Sequence, residues 1–377
     1  MLLKSLSIYE KKYNVFNKKA IFEAPKMILF SILAIFAVSI LCLYSAAGGV
    51  CSDFVLKQIF FITISLGVFF TIISVNIKII YKVSYVSLLI AIGLLTVVIP
   101  FGKRVLGASR WLDFGFVMVQ PSEFAKIAVI LVLARFFSRI NVKQISRFYT
   151  TIFAFLLISP VFVLVVIQPD LATSLIILFI VSIMLFTVGI PKWEFISAFV
   201  LMVLSLPIIW VKCLKEYQKL RVINFLNPEN DPFGSGYNII QSKIAIGSGG
   251  VFGKGYFQGV QGRLRFLPEH HTDFIFTNVC EEFGFIGALI VISLYLLITM
   301  YGFRVASQTN SVFCKLIAIG CSSLIFLHMF INIGMTSGLL PVAGIPLVMI
   351  SYGGSSLLLG VICIALIVNV DINNNIL

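Results

Sequence analysis

Chemistry is best supported by one polar stretch, Arg263-Leu-Arg-Phe-Leu-Pro-Glu-His-His-Thr-Asp273, which leads directly into an apolar run at Phe274. A carboxylate at the mouth of a membrane helix is costly in lipid and therefore points to function. Asp273 could act as a general base, because a positioned Asp or Glu can take a proton from a reacting hydroxyl group. The alternative is that Asp273 caps the following helix, since Thr-Asp before an apolar run suits that role.

A second group of polar residues lies between 107 and 126. Glu123 and Lys126 are three residues apart at the start of a predicted helix, so they share one face and can form an ion pair. Ionisable residues inside a membrane span point to the protein interior and to function. The alternative is that Lys126 extends to the nearby membrane surface. Arg110 beside Trp111 could bind a phosphate group through a bidentate guanidinium, or the two could form an interfacial anchor.

Two further polar residues, Asp170 and Lys243, belong to short connecting segments. Asp170 precedes an apolar run, where helix capping is the stronger interpretation. Lys243 lies among isoleucines at helical spacing in residues 237–246, a pattern typical of a short amphipathic helix in the membrane interface. The glycines at 247–255 could bring backbone N–H groups close to an anion, or could simply make the loop flexible.

Two apolar runs near the C-terminus also contain polar residues. Glu281 and Glu282 lie about two turns into a predicted helix, where they could pair with Lys126 or line a cavity. His328 and Asn332 are four residues apart on one helix face, which favours interhelical hydrogen bonds over ligand binding.

The elements that must position these residues are membrane helices. The chain is 60% hydrophobic and 11% charged, with a mean hydropathy of +1.08, which indicates a polytopic membrane protein. A span needs about 20 apolar residues, and the sequence predicts an all-α fold with about ten spans. They are placed at 26–48, 54–74, 78–100, 121–138, 149–168, 171–189, 193–211, 273–300, 312–337 and 348–370. The runs are continuous rather than alternating, which excludes a transmembrane β-barrel.

We interpret residues 1–377 as a single integral-membrane domain, with spans one to seven in 26–211, a large loop in 212–272 and spans eight to ten in 273–370. Lysines before the first span place the N-terminus in the cytoplasm, and the even number of spans brings the C-terminus to the same side. The large loop and the 101–120 loop then lie outside, yet both are rich in Lys and Arg. We expect them to bind an anionic, membrane-borne ligand; the alternative is contact with lipid headgroups. Nucleic acid is not an expected partner on that face.

A set of motifs extends in order from the first outside loop to the last span. They are Gly107-x-x-Arg-Trp111, Gln120-Pro-Ser-Glu-Phe-x-Lys126, Gln168-Pro-Asp170, Asn227-Pro-Glu229, Gly236-Tyr-Asn-Ile-Ile-Gln-Ser-Lys243, Phe266-Leu-Pro-Glu-x-His-Thr-Asp-Phe274 and Ile345-Pro-Leu-x-x-x-Ser-Tyr-Gly-Gly-Ser-Ser356. Together they resemble the SEDS family (shape, elongation, division and sporulation). Within it, the Gln-Pro-Asp motif and Gly338-Leu-Leu-Pro-Val-x-Gly-Ile-Pro346 resemble the elongation branch rather than the division branch.

The resemblance implies a peptidoglycan glycosyltransferase in the bacterial inner membrane, with its active site facing the periplasm. Its substrates would be lipid II and a lipid-linked glycan strand. Its partners would be a class B penicillin-binding protein and other membrane proteins of the elongation complex. The essential aspartate of the family maps onto Asp273, and the Glu and Lys of the fourth span map onto Glu123 and Lys126. The candidate substrate-binding residues are Arg110, Trp111, Glu123, Lys126, Asp170, Lys243, Glu269 and His271.

The expected reaction is an inverting glycosyl transfer. Asp273 would take the proton of the 4-hydroxyl of the acceptor N-acetylglucosamine, whose oxygen would attack C1 of the N-acetylmuramic acid at the lipid-linked end of the donor strand. Undecaprenyl diphosphate would leave, with its charge stabilised by Arg110, Lys126 and Lys243. A divalent Mg²⁺ or Mn²⁺ ion could assist, and the sequence identifies no ligands for it.

A lipid II flippase is the alternative function. A flippase needs polar residues along a route from the inner face of the membrane. The ionisable residues instead cluster near the outer ends of the fourth, sixth and eighth spans, which favours an outward-facing enzyme. A third possible function is a non-catalytic scaffold for cell-wall synthases. It would not explain why Asp273 and the Glu123–Lys126 pair are present in membrane helices.

Overall fold

The computed structural model describes residues 23–105, 108–115, 117–141, 148–231, 234–259 and 271–373. These residues form a bundle of long helices, with a small antiparallel sheet and two short helices at one end. In chain order the elements are α1 (Lys26–Ala46), α2 (Asp53–Ser74), α3 (Ile77–Phe101), β1 (Lys103–Val105), β2 (Ala108–Asp113), β3 (Met118–Val119), α4 (Pro121–Phe137), α5 (Phe148–Ile167), α6 (Leu171–Val188), α7 (Lys192–Ile208), α8 (Glu216–Leu226), α9 (Ser235–Ser248), α10 (Ile275–Gln308), α11 (Val312–Thr336) and α12 (Gly354–Asn373).

Nine helices in the described part of the chain are long and apolar enough to cross a membrane. The fourth predicted span is α4, which has 17 residues and packs against α3, α6 and α11 within the bundle. The structure therefore confirms the predicted all-α fold with about ten membrane helices, and the chain is a multi-pass membrane protein. The cytoplasmic position of both termini stays a prediction.

The sheet, α8 and α9 lie at the same end of the bundle, which we call the loop face. Arg110 of β2 donates from Nε to the carbonyl oxygen of Gln168, between α5 and α6, at 3.3 Å. Ser242 of α9 donates from Oγ to the carbonyl oxygen of Thr336, at the end of α11, at 2.8 Å. The predicted helix at 237–246 is confirmed as α9. The connections after α3, α5, α7 and α11 thus meet at one face.

The last membrane helix begins later than the sequence predicts. It was expected from 348, whereas α12 begins at Gly354, because residues 345–350 are non-helical, and all of them except Pro346 are buried inside the bundle. Backbone at membrane depth can be irregular only where the protein satisfies its polar groups. Ser39 of α1 does so by donating from Oγ to the carbonyl oxygen of Ile350 at 2.8 Å.

Helix α12 closes the bundle by packing along α2. The buried side chain of Asn369 donates from Nδ2 to the carbonyl oxygens of Ile72 at 2.8 Å and Val75 at 2.6 Å. Carbonyl groups at a helix end lack partners within their own helix. The last helix therefore supplies hydrogen-bond donors to the unpaired carbonyl groups at the end of the second one.

Helix α10 is interrupted, although the sequence predicts one continuous span. Gly284 has φ 66° and ψ −159°, which breaks the helix. The glycine-rich loop after α9 lies against this break: the Phe285 amide donates to the carbonyl oxygen of Gly250 at 2.9 Å, and the Gly255 amide donates to that of Glu282 at 3.1 Å. The loop glycines thus allow close backbone approach to α10, a role that neither sequence interpretation named.

We expect Gly253→Ala to destabilise the protein. Gly253 has φ +80°, and a Cβ there would lie 2.1 Å from the carbonyl oxygen of Glu282. Overpacking of this kind costs about 1–3 kcal/mol, and the positive φ adds strain. Gly247→Ala is the matched control, because a Cβ at Gly247 in α9 would meet open space. Thermal unfolding in detergent should show a lower midpoint for Gly253→Ala alone, and equal midpoints would contradict the packing role.

Candidate active site

A cavity of about 590 Å³, which we call the central cavity, lies at the loop face. Its walls come from β2, α4, α8 and α11, from the turn between α5 and α6, from the start of α10 and from the segment between α11 and α12. Most of the predicted site residues line it, namely Arg110, Trp111, Glu123, Lys126, Asp170 and Asp273. Residues far apart in the sequence therefore form one site.

Lys126 lies at the bottom of this cavity and is only 1% exposed. Its Nζ is 2.8 Å from Glu123 Oε1, as the spacing predicts, and 2.8 Å from His328 Nε2 of α11. An ammonium group can only donate, so Nε2 of His328 accepts, and the imidazole proton sits on Nδ1, which faces the carbonyl oxygen of Pro346 at 3.5 Å. The alternative in which Lys126 extends to the membrane surface is wrong. The interhelical hydrogen bond predicted for His328 is confirmed.

Asp273 lies at the start of α10 and lines the central cavity. Phe274 rather than Asp273 occupies the N-cap position of that helix. Asn332 of α11 donates from Nδ2 to the carbonyl oxygen of Asp273 at 2.9 Å and to that of Ile345 at 2.7 Å. Both acceptors lie in non-helical backbone, so the hydrogen bonds predicted for Asn332 are present but do not join it to another helix. A Cβ on Gly344 would lie 3.5 Å from Asp273 Oδ2, so the absent side chain of Gly344 leaves room beside the carboxylate.

Arg110 and Asp170 lie together on the wall of the cavity. Arg110 donates from Nε to the carbonyl oxygen of Gln168 at 3.3 Å and from Nη2 to that of Pro169, and its Nη1 is 3.7 Å from Asp170 Oδ1. Asp170 is the N-cap of α6 and accepts from the backbone N–H of Thr173 at 3.3 Å. Helix capping by Asp170 is confirmed, and its contact with substrate stays a prediction.

Arg221 of α8 is a cavity residue that the sequence pattern did not single out. Its Nη1 donates to the carbonyl oxygen of Ala343 at 3.2 Å. Burial, followed by the neighbouring charge of Arg110, lowers the pKa of Arg221 below its ordinary value, and Tyr217, Asp273 and Asp170 oppose this shift only in part. Arg221 thus interacts with the candidate base and with the other arginine of the site.

Helical spacing within α8 could have revealed Arg221. Tyr217, Arg221 and Asn224 are spaced four and three residues apart, which places them on one helix face. All three line the central cavity. A polar stripe on a short helix of the outside loop was therefore the available signal.

Two predicted site residues in the described part of the chain, Lys243 and His271, do not line the central cavity. Lys243 lies on α9 with its side chain packed against Gly338, because α9 docks onto α10 and α11. The ring of His271 stacks on Phe54 with a centroid distance of 5.5 Å and lies 5.9 Å from the ring of Tyr352, which lines the cavity. His271 therefore packs against a residue of the cavity wall without lining the cavity itself.

Glu269, another predicted site residue, lies outside the described part of the chain, as do the other residues of 260–270. Its predicted substrate contact stays a prediction. Trp111, by contrast, lines the central cavity as expected.

The described residues of the central cavity do not identify a site for a resident Mg²⁺ or Mn²⁺ ion, which stays a prediction. No group of three or more His, Cys, Asp or Glu side chains is placed to hold a metal in the described residues. Two of the lining carboxylates are already paired with cations, Glu123 with Lys126 and Asp170 with Arg110. A divalent ion at either of these two carboxylates would have to displace an ammonium or a guanidinium group, and no step proposed below uses such an ion.

Comparison with known proteins agrees with this architecture. The chain is 42% identical to the peptidoglycan glycosyltransferase MrdB of Escherichia coli K12 over 349 residues, which are 91% of this chain and 92% of MrdB. It is similar to a chain of a peptidoglycan synthase complex that coordinates polymerization and crosslinking, with a TM-score of 0.81, 28% identity, and 93% and 98% of the two chains covered. It is also similar to the rod shape determining protein RodA of Thermus thermophilus, with a TM-score of 0.70, 25% identity, and 93% and 97% covered.

The family itself follows from a match that spans nearly the whole chain. Residues 19–376 match the family model described as the FtsW/RodA/SpoVE cell cycle proteins. The SEDS resemblance of the sequence motifs is thereby confirmed. Together with the helical bundle and its central cavity, this match establishes that the chain belongs to the FtsW/RodA/SpoVE family.

Proposed function

We propose that this protein is a RodA-type peptidoglycan glycosyltransferase that polymerises lipid II into glycan strands for cell elongation and rod shape. The observation that carries the proposal is one cavity that holds the carboxylate of Asp273 together with two arginines, Arg110 and Arg221. Transfer of a sugar from a lipid diphosphate needs a base for the acceptor hydroxyl and positive charge for the leaving group. The relative MrdB carries the name of this activity.

In this mechanism Asp273 is the general base. Its carboxylate takes the proton of the 4-hydroxyl of the acceptor N-acetylglucosamine, and the hydroxyl oxygen attacks C1 of the N-acetylmuramic acid at the lipid-linked end of the donor strand. The bond from C1 to the diphosphate oxygen breaks with inversion, and undecaprenyl diphosphate leaves with the electron pair. Such proton transfer contributes about 10²–10⁴-fold to the rate.

Arg110 and Arg221 are the proposed ligands of the leaving diphosphate, because guanidinium groups bind phosphate oxygens in a bidentate way. Each is held by a backbone carbonyl group, Arg110 by Gln168 and Arg221 by Ala343. Both arginines are therefore positioned by the protein itself. Arg221 takes the place that the sequence interpretation gave to Lys243.

Glu123 and Lys126 are proposed to form the floor of the substrate site. Lys126 is shared between Glu123 and His328, which fixes the position of all three side chains. Oε2 of Glu123 is buried and has no hydrogen-bond partner among the described residues. Glu123 therefore keeps one acceptor oxygen without a donor at the floor of the cavity.

A lipid II flippase is the second candidate, and the depth of the cavity disfavours it. Below Lys126, α4 continues as a run of buried apolar residues at 127–134. A flippase would need polar groups along a path to the opposite face, and α4 offers none in this run. This asymmetry supports an enzyme that works from the loop face.

The proposal extends to the setting of the reaction. We place the protein in the bacterial inner membrane with the loop face towards the periplasm, where it would take lipid II and the lipid-linked strand. A class B penicillin-binding protein is the proposed partner that crosslinks the strands, and other membrane proteins of the elongation complex are further partners. The similarity to a chain of a complex that coordinates polymerization and crosslinking supports this assignment.

The test is polymerisation of fluorescent lipid II by the purified protein, with and without its partner. We expect glycan strands in a gel, and we expect no translocation of lipid II in vesicles that contain the same preparation. Translocation without strands would reject the enzyme in favour of the flippase.

A further inference from the structure

The two residues before the candidate base are held by residues 343–353 of the connection between α11 and α12, which we call the α11–α12 segment. The backbone N–H of Tyr352 donates to the carbonyl oxygen of His271 at 2.9 Å. The hydroxyl of Ser351 donates to the carbonyl oxygen of Thr272 at 2.6 Å. Two successive carbonyl groups therefore have donors from one distant part of the chain.

The carbonyl group of Asp273 itself is held in the same way. Asn332 is fully buried, and its Nδ2 donates both to Asp273 at 2.9 Å and to the carbonyl oxygen of Ile345 at 2.7 Å. A carboxamide nitrogen has two N–H donors, and both are used here. One side chain thus joins the backbone of the candidate base to the α11–α12 segment.

The direction of the Ser351 hydroxyl is also fixed. Ser351 is fully buried, and the backbone N–H of Leu347 donates to its Oγ at 2.8 Å. A serine hydroxyl has only one proton, and this proton goes to the carbonyl oxygen of Thr272. Ser351 therefore holds the α11–α12 segment and the residue before Asp273 at the same time.

Helices α1 and α2 hold the α11–α12 segment from its other side. The buried side chain of Gln58 donates from Nε2 to Oγ of Ser39 at 3.0 Å and to the carbonyl oxygen of Ser351 at 3.4 Å, and Ser39 donates to Ile350. Met349 has φ 72°, which is uncommon for residues other than glycine. Contacts from the first two helices thus maintain a backbone path that the segment would not favour by itself.

The same segment also positions the arginine next to the base. Ala343 accepts from Nη1 of Arg221 at 3.2 Å, and a Cβ on Gly344 would lie 3.5 Å from Oδ2 of Asp273. A general base must lie within hydrogen-bond reach of the proton that it takes. Displacement of a reacting group by about 1 Å can cost about 10²-fold in rate. The α11–α12 segment therefore sets the position of the base relative to the proposed diphosphate ligand.

We propose that Ser351 and Asn332 are positioning residues for the glycosyl transfer. Neither of them lines the central cavity, so they act through Asp273 by fixing the backbone of residues 271–273. This inference rests on the proposed function, since it gives the two side chains a role in the reaction of Asp273.

The test compares Ser351→Ala and Asn332→Ala with wild type in strand synthesis from fluorescent lipid II, using the purified full chain with its partner. Each variant removes one of the two side-chain donors to residues 272 and 273. We expect kcat to fall about 10–100-fold, because the base is misplaced. The KM for lipid II should stay within about twofold of wild type, because the lost contact acts on the chemical step rather than on binding.

Two matched controls remove the same buried groups elsewhere. Ser65 is fully buried, and its hydroxyl donates within α2 to the carbonyl oxygen of Phe61 at 2.7 Å. Asn369 is fully buried near the end of α12 that is farther from the α11–α12 segment. Ser65→Ala and Asn369→Ala should lower the thermal midpoint as the test variants do, because each loses a buried hydrogen bond. Their kcat should stay near that of wild type.

Hydrogen–deuterium exchange gives a second measurement that does not depend on activity. Amide exchange in residues 271–280 should be faster in Ser351→Ala and Asn332→Ala than in the two controls, because the start of α10 has lost a bond that limits its local opening.

The outcomes separate this inference from the proposed function. Wild-type kcat in folded Ser351→Ala and Asn332→Ala would overturn the inference, and so would an equal loss of kcat in Ser65→Ala and Asn369→Ala. A wild-type protein that makes no strands would reject the proposed function instead. Exchange would then decide whether Ser351 and Asn332 hold residues 271–273: faster exchange in their variants alone supports this, and exchange equal to that of the controls contradicts it.

Discussion

Asp273→Asn should abolish the polymerisation of lipid II while the protein stays folded. The amide keeps the size of the carboxylate but cannot take the proton of the acceptor hydroxyl, and a general base contributes about 10²–10⁴-fold. The hydrogen bond from Asn332 goes to the backbone of Asp273, so the substitution leaves that anchor in place. Strand synthesis from fluorescent lipid II with the partner present measures the loss.

Asp113→Asn is the matched control for this prediction. Asp113 lies in β2 at the same face, is exposed, and pairs with Lys103 at 3.0 Å. It should polymerise as wild type does. Thermal melts of both variants should match that of the unaltered protein. Strand synthesis by Asp273→Asn at a rate near wild type would show that another group takes the proton.

Lys126→Met should cause the largest loss of stability. It leaves the carboxylate of Glu123, 3% exposed, without its charge partner. Breaking a buried ion pair in this way costs about 3–5 kcal/mol. The double variant Glu123→Gln/Lys126→Met should regain most of this stability, because replacing a whole buried ion pair by neutral residues changes the free energy of unfolding little. It should regain little activity.

The chain offers a close control for the buried pair. Lys219 and Glu216 of α8 have the same three-residue spacing and a similar separation of 3.0 Å, but the side chain of Glu216 is 84% exposed. Lys219→Met should therefore cost less than about 1 kcal/mol. Thermal midpoints in detergent compare the variants. An equal drop in thermal midpoint for Lys126→Met and Lys219→Met would mean that burial does not increase the contribution of the Glu123–Lys126 pair to stability.

The parts of the site that could be predicted are those set by local geometry or by family motifs. Glu123 and Lys126 pair because residues three apart on a helix are neighbours, and this spacing can be read directly from the sequence. The long apolar runs predicted about ten membrane helices, since hydrophobic length is a local property. Asp273, identified from its motif and its place at a helix mouth, does line the central cavity.

The parts that could not be predicted depend on contacts between distant segments. Arg221 reaches the site because its guanidinium is anchored on Ala343, and nothing near Arg221 in the sequence indicates that partner. Glu281 pairs with Lys254 because the glycine-rich loop folds back onto α10. Lys243 was assigned to the anion site, yet the docking of α9 turns its side chain onto Gly338.

The contact between α12 and α2 has a consequence for how the protein is made. The side-chain amide of Asn369 donates to the carbonyl groups of Ile72 and Val75, and the hydroxyl of Ser39 donates to the carbonyl group of Ile350. The first two helices therefore complete their contacts only after the last part of the chain has been synthesised. Contacts of such long sequence separation form late and slowly. Tyr352 and Ser356, which complete the wall of the central cavity, also arrive at that final step. A chain interrupted during insertion would therefore carry no partly working catalyst.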